Sequence, residues 1–455
     1  MRVTGNTLTW TPQKWRRQEE QRLQLLDLAL KILVPAFLLL CLVAALKFGS
    51  FDGYLQLLSK QSFTTPLLAL GAIFTLALLA FQVVRTVLWW RYRPYTPPAG
   101  PLPLVTVIIP AYNEGAMVEK SIYSVAASDY PHDRLEVIVI DDGSRDDTWD
   151  YIDRARKRYP RLIRAIRFPR NRGKKEGLYA GFTQGRGEFF VTIDSDSVIT
   201  PDTIRQVVAP MLVDPRVGAV AGNVKVFNRL RSLMARMLAV RFVLAFDFLR
   251  ASQSMYGAVT CTPGALSAYR RSALLPILED WRRQTFLGLP ATIGEDRALT
   301  NFVLRQGFYT VYQRSALVYT VVPETYKGLC KMYLRWDRSN FRESWVQLNF
   351  LFTRYRRQDR VLPVIDFFLT ELEFPLTYLF LGLLVAACFA YPLLMLKFIA
   401  GLGVFTLVWM YYYIQQERDL EFIYGILYSY FAFFFLNWVR PYAFITLRNG
   451  RWLTR

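Results

Sequence analysis

Acid falls in close pairs along this chain. "FFVTIDSDSVITPD" (189–202) sets Asp194 and Asp196 one residue apart, and "IGEDRALT" (293–300) sets Glu295 beside Asp296. A strand has a side-chain period of two. Continuing the apolar run of 189–193 as a strand therefore predicts Asp194 and Asp196 on one face, inside each other's field. Two like charges that close cost energy unless a proton or a cation sits between them. The bland alternative is a solvated loop with incidental acid. Other polar groups end two further apolar runs: Tyr112, Asn113 and Glu114 in "VTVIIPAYNE", Asp141 and Asp142 in "LEVIVIDDGS". The single histidine, His132, lies in the turn-like "SDYPHD". One surface-loop histidine excludes Ser-His-Asp, Cys-His and multi-histidine metal chemistry, which leaves acid–base work to carboxylates. Four cysteines, Cys41, Cys261, Cys330 and Cys388, show no C-x-x-C spacing. Two of them lie in hydrophobic runs, and Cys261 and Cys330 are expected as reduced thiols.

The elements that position these acids follow from the local grammar. After the proline-rich stretch "RPYTPPAGPLPLV" (93–105), short β-branched runs at 105–114, 135–144, 162–169 and 188–197 alternate with helical patterns. That alternation predicts a mostly parallel sheet with helices on both faces. In such sheets ligands bind beyond the carboxyl ends of the strands. Three strands ending in polar residues at one edge predict a site there. A dinucleotide-binding domain would need G-x-G-x-x-G after its first strand. "IIPAYNEGAM" has one glycine at that place, which disfavours it.

Composition adds a membrane. Aromatics make up 15% of 455 residues, high for a soluble enzyme, and the net charge of +20 suits lipid headgroups or a phosphorylated substrate. Nucleic acid is not expected, because no reader motif appears and the basic residues are spread along the chain. Runs at 28–46 and 66–84 each approach the roughly 20 residues of a spanning helix. Basic clusters at 14–22 and 85–93 flank this hairpin, which predicts a cytoplasmic N-terminus and a cytoplasmic middle. Runs at 376–394, 398–414 and 422–439 predict three further spans. Three passes would leave the basic tail "RNGRWLTR" on the far side, against the positive-inside rule. A half-inserted or fourth element around "VLPVIDFFLTELEF" (361–374) would repair that. "RLRSLMARMLAVRFVLAFDFL" (229–249) reads as an interfacial helix, with a core helix as its rival. The implied domains are a membrane hairpin and linker (1–100), a cytoplasmic domain with interfacial helices (101–345) and C-terminal interfacial and membrane helices (346–455).

In order, "PAYNE", "IDDGS", "GKKEGL", "DSDS", "CTPGALSAYRRS", "GEDRALT" and "RWDRSNFRES" resemble the family 2 inverting glycosyltransferases of GT-A fold. The closest likeness is to membrane-embedded hyaluronan synthases and bacterial chitin-oligosaccharide synthases; cellulose synthases are more distant. The resemblance covers roughly residues 103–345. It implies a GT-A-type α/β domain embedded in an α-helical transmembrane protein. Tyr112 would offer a ring face, and Glu114 and Asp141 acceptors, to a uracil and its ribose. Asp142 would turn back over the nucleotide. Lys174, at a helix start after a glycine, would touch the donor diphosphate or the adjoining aspartates. Asp194 and Asp196 would bind the nucleotide sugar and Mg²⁺ or Mn²⁺, with Asp196 the direct ligand. Asp296 is the expected base and Glu295 its polar neighbour, although a helix start favours acid there in any case. Arg335 would hold the diphosphate and Trp336 stack on an acceptor sugar. The family's Q-x-x-R-W glutamine is Met332 here, which removes any glutamine contact. Cys261 would lie where the acceptor chain ends.

The implied function is a processive synthase that extends a β-linked, GlcNAc-containing polysaccharide from UDP-sugars and passes it through the membrane. Its partners are the donor, the growing polymer and lipid; nothing in the sequence names a protein partner. Three rivals are a glucan synthase, a single-sugar transferase acting on a polyprenyl phosphate, and a transporter or channel with a nucleotide-sensing domain. The last would tolerate Asp296→Asn.

Overall fold

The computed structural model describes residues 13–48, 64–353 and 359–450. Two long helices come first, α1 (Gln13–Phe48) and α2 (Thr64–Arg91). The loop between them and the last residues of the basic tail lie outside the described residues. The chain divides into two compact units. One holds Arg91–Gln358 with Asn437–Arg455, the other Trp15–Trp90 with Asp359–Leu436.

In the first unit, β1 (Val105–Ala111), β2 (Leu135–Asp141), β3 (Ile163–Arg167), β4 (Phe189–Ile193), β5 (Ser197–Ile199), β6 (Val217–Val226) and β7 (Leu266–Arg270) are followed by a small hairpin. The hairpin is β8 (Thr285–Phe286) and β9 (Leu289–Pro290), and β10 (Tyr309–Thr320) closes the series. Apart from the hairpin they form one eight-stranded sheet in the order β3-β2-β1-β4-β7-β6-β10-β5. The half β3-β2-β1-β4 is parallel throughout. Strand β7 then runs antiparallel between β4 and β6, and β5 antiparallel to β10, so the whole sheet is mixed. The four strands read from sequence are present; β6, β7 and β10 carry their apolar patterns in less regular form and were not anticipated.

Helices between the strands are α3 (Met117–Ala126), α4 (Thr148–Arg158), α5 (Lys174–Gln184) and α6 (Thr203–Val213). Then come α7 (Leu233–Phe242), α8 (Leu249–Ser254), α9 (Glu295–Arg305) and α10 (Tyr326–Leu351). Every residue of β1 and β2 is buried, so both faces of the sheet are covered. On one face Ile108, Ile138 and Ile140 pack with Leu178 and Phe182 of α5, Leu299 of α9 and Trp281. Each such side chain contributes about 1.5–3 kcal/mol by leaving water. Helix α5 lies unusually close to the sheet, because a Cβ on Gly181 would collide with Ile108. That close seat brings the N-terminus of α5 to the carboxyl edge of β1.

The segment 229–249 is not a surface helix. Helix α7 starts at Leu233, passes through a π-helical turn (Val243–Phe248) into α8, and buries most of its residues, Arg236 and Asp247 included. Asp247 accepts from Arg314 Nε at 2.6 Å. A buried ion pair of this kind belongs to a core helix, since an interfacial helix would leave one face open.

The second unit contains α1, α2, α11 (Val361–Ala390), α12 (Leu393–Glu417) and α13 (Phe422–Phe431). Among the described residues four helices are long and apolar enough to cross a membrane, five if the broken run from Phe422 to Ile445 counts as one. Their apolar side chains stay outward: Leu46 is 76% and Phe389 86% exposed, which water would penalise and lipid would not. Polar groups inside the unit are paired, as for Arg85 with Asp366 and Lys31 with Asp27 and Glu421. Two expectations change here. Residues 361–374 form the first half of the continuous helix α11 and are no separate half-inserted element. The run 422–439 is not one helix: α13 gives way to a π turn, and α14 (Val439–Ile445) belongs to the first unit, packed on α10. Thr292 Oγ1 donates to the Gly450 carbonyl at 2.6 Å in that same unit.

Candidate active site

The site assembles around one lysine. Gly173 takes φ +93, open to glycine at little cost, and starts α5. Both oxygens of Asp142 hold that corner, accepting from Arg172 N at 2.7 Å and Gly173 N at 2.8 Å. Asp142 thus sets the aim of the next residue. Lys174 Nζ then lies 2.5 Å from Asp194 Oδ1 and 2.9 Å from Glu295 Oε1. Burial works against its ammonium, but Asp194, Glu295 and Asp296 outweigh that and raise its pKa above the ordinary lysine value.

The D-S-D run is not the end of a strand. Strand β4 stops at Ile193, Asp194 follows it, and Ser195 and Asp196 form a turn into β5. The period-two argument for a shared face therefore fails, because the backbone has left the extended conformation. The two acids still feel each other: burial first, then the charge of Asp194, pushes Asp196 up to about 6. Asp196 Oδ1 accepts from Thr320 at 3.1 Å and Ser197 at 3.2 Å. The serine between them donates to Glu114 Oε1 at 3.0 Å, which fastens the turn to the loop after β1.

Glu295 and Asp296 open α9 behind Gly294, whose φ is +69. Glu295 is buried, and its carboxyl is held below the ordinary value; desolvation opposes this, while Lys174 and Arg335 outweigh it. Asp296 goes the other way, raised by burial and by the charge of Glu295. It accepts from Gly264 N at 3.2 Å and from Arg297 N at 2.8 Å. Adjacent carboxyls pushed apart in this way are the arrangement from which an enzyme draws one ion-pairing group and one proton acceptor. A side chain on Gly264 would put its Cβ 2.6 Å from Lys174 Nζ and 3.3 Å from the Asp194 carboxylate. A side chain at Gly264 would therefore displace the Lys174 ammonium from its place beside Asp194.

Of the sequence-predicted residues, Lys174, Asp194, Glu295, Asp296 and Arg335 come together, with Asp196 beside Asp194. Cys261 lies within electrostatic reach of Asp296 and Arg250, and burial pushes its thiol up to about 12. Trp336 has Tyr333 at 5.7 Å and Phe242 at 6.3 Å, which places it on the α7 side of the group. Asp141 is fully buried, accepting from Ser144 N at 2.9 Å with Arg167 Nε 3.3 Å from its other oxygen. Tyr112 is half-buried on the loop after β1.

Sequence reading missed Arg167 and the cavity of about 450 Å³ that it lines with Gly143, Ser144, Phe168 and Arg170. Its register partner on β2 is Asp141. An arginine in the last position of a strand beside an acid-ended strand was the available signal. Gly264 was also missed; its signal was a lone glycine in a loop already suspected.

Known proteins can now be set beside this geometry. The profile of glycosyl transferase family 2 matches residues 106–278. An N-acetylglucosaminyltransferase of Rhizobium leguminosarum bv. viciae is 34% identical over 359 residues, 78% of this chain and 82% of that protein. The chain belongs to glycosyltransferase family 2. Hyaluronan synthase of Streptococcus pyogenes is 31% identical over 395 residues, 84% of this chain and 90% of that one. Among solved structures, mannosyltransferase PcManGT from Pyrobaculum calidifontis, in complex with GDP-Man and Mn²⁺, superposes with a TM-score of 0.55. It is 21% identical and covers 79% of this chain and 97% of its own, a likeness of GT-A fold. The protein is thus a membrane glycosyltransferase.

Proposed function

We propose that this glycosyltransferase is a processive, inverting synthase. It extends a β-linked, GlcNAc-containing polysaccharide of hyaluronan or chitin type from UDP-sugars and passes the polymer across the membrane. The observation that carries the reading is the single ammonium of Lys174 joining the Asp194 turn to the Glu295–Asp296 helix start. A donor-side acid and a base-side acid then share one cation. The sugar preference rests on the relatives named N-acetylglucosaminyltransferase and hyaluronan synthase.

The uracil and ribose lie against Tyr112, Asp141 and the Arg167 cavity, with Glu114 and Asp142 fixing the loops around them. Asp194 and Asp196 suit Mg²⁺ or Mn²⁺: both are hard oxygen donors, and a cation would favour the ionised form of Asp196, which burial and then the charge of Asp194 oppose. Among the described residues no cluster of three His, Cys, Asp or Glu side chains could hold a metal, so diphosphate and water would complete the shell. When bound, the ion offsets charge on the departing diphosphate. Asp296 takes the proton of the acceptor hydroxyl as its oxygen bonds to the anomeric carbon. The bond to the diphosphate breaks on the opposite face, and Lys174 and Arg335 receive the charge of the released UDP. Trp336 and Cys261 hold the acceptor end.

The catalytic domain lies in the cytoplasm against a bacterial-type plasma membrane, with α1, α2, α11 and α12 in lipid. The test is UDP release by purified enzyme in nanodiscs with Mn²⁺, from UDP-GlcNAc, UDP-GlcA and UDP-Glc, singly and in pairs. Turnover that requires UDP-GlcNAc supports the reading. Turnover with UDP-Glc alone makes the enzyme a glucan synthase. Transfer of one sugar to a polyprenyl phosphate, without polymer, would replace processivity.

A further inference from the structure

Helix α10 does more than carry Arg335 and Trp336. Arg335, Ser339 and Arg342 are spaced i, i+4, i+7 and so share one helix face. That face meets the turn leading into α9. A Cβ on Gly294 would collide with Ser339 Oγ and sit 3.3 Å from Arg342 Nη2. Arg342 donates through Nη2 to the Ile293 carbonyl and through Nε to Glu343 Oε1 at 2.8 Å.

Glu343 is completely buried. Its Oε1 also accepts from Gln284 at 3.0 Å, ahead of the β8–β9 hairpin, and its Oε2 from Asn301 of α9 at 3.0 Å. Asn301 donates again to the Glu343 carbonyl at 2.9 Å. Arg297, next to Asp296, adds a second strap to α10 through Asn340 at 2.8 Å and Ser344 at 2.9 Å. A desolvated carboxylate engaged from three directions tolerates little displacement of any of them.

We propose that Arg342 and Glu343 are positioning residues for the transfer step. They press the Ile293–Gly294 turn onto α10 and thereby fix Asp296, one helix over, relative to Arg335. The proposal rests on the reading of Asp296 as base and Arg335 as diphosphate partner. Neither Arg342 nor Glu343 touches substrate. A fully buried acid that bonds Arg342, Gln284 and Asn301 at once holds two catalytic elements to one register. A misplacement of about 1 Å is enough to cost about 100-fold in rate.

The test compares wild type with Arg342→Lys, Arg342→Ala and Glu343→Gln, all full length in nanodiscs. It measures kcat and donor KM by UDP release, UDP affinity by calorimetry, and thermal unfolding. Lysine keeps a charge beside Glu343 but loses the planar fork that also reaches Ile293. Glutamine keeps the shape and loses the charge. The expected result is a kcat lower by about 10- to 100-fold, with donor KM and UDP affinity within about 2-fold of wild type. Arg342→Lys should retain more activity than Arg342→Ala. Variants with wild-type kcat would overturn the proposal, as would parallel loss of UDP affinity and thermal stability, which would make the cluster merely structural. A wild-type enzyme inert toward every UDP-sugar would instead overturn the transferase reading, and this proposal with it.

Discussion

The two acidic pairs are chemically alike and structurally opposite. Asp194 and Asp196 lie in a turn between strands, held by hydroxyls and tied through Ser195 to the loop after β1. Glu295 and Asp296 open a helix, where backbone amides and the dipole favour negative charge. In the first pair Asp194 is paired with Lys174, and Asp196 is raised by burial and by the charge of Asp194. In the second Glu295 is pinned to the same Lys174, and Asp296, raised by burial and by the charge of Glu295, is left able to accept a proton. Environment, more than residue type, decides which acid does which work.

Removing the base tests that division most severely. Asp296→Asn should lower UDP release by about 10²- to 10⁴-fold while UDP still binds, measured by turnover beside calorimetry. Lys174→Ala attacks the link between the pairs. It strands a buried Glu295, so the fold should lose about 3–5 kcal/mol in denaturant unfolding, as breaking a buried ion pair does, and turnover should vanish. A pH profile sharpens the comparison. Asp296 works ionised, so its raised pKa sets the acid limb of kcat/KM above the ordinary aspartate range. Glu295→Gln removes the neighbouring negative charge, the pKa of Asp296 falls, and the limb should move to lower pH. Least costly is Arg167→Ala, at the far side of the donor cavity, which should raise donor KM by about 3- to 10-fold with kcat little changed.

Much of this was legible in the sequence, and the part that was not has a physical cause. Short β-branched runs such as "VTVIIPA", bounded by turn residues and alternating with helical patterns, read as strands buried on both faces, so the parallel half of the sheet could be read directly. Strand β7 was hidden inside a loop motif, since "LSAYR" mixes polar and apolar residues and owes its place to pairing with β4 and β6. The site residues were nameable because acids and a lysine stand at element ends. Their partners were not, because Lys174 meets Glu295 across 121 residues and nothing local records it. The D-S-D turn misled for a similar reason: a strand pattern gives the period but not where pairing stops. Segment 229–249 carries basic residues that looked interfacial, yet Arg236 is buried with most of α7.

The most direct measurement sets Asp196→Asn beside Asp296→Asn, following UDP binding with and without Mn²⁺ and UDP release from the sugar donor in the same preparations. A crossed result is predicted. Asp196→Asn should lose the Mn²⁺-dependent gain in UDP affinity, by about 10-fold or more. Asp296→Asn should keep that gain and lose turnover. If Asp296→Asn turns over like wild type, or if both variants lose metal response and turnover alike, the two pairs do not divide the work and the account is wrong.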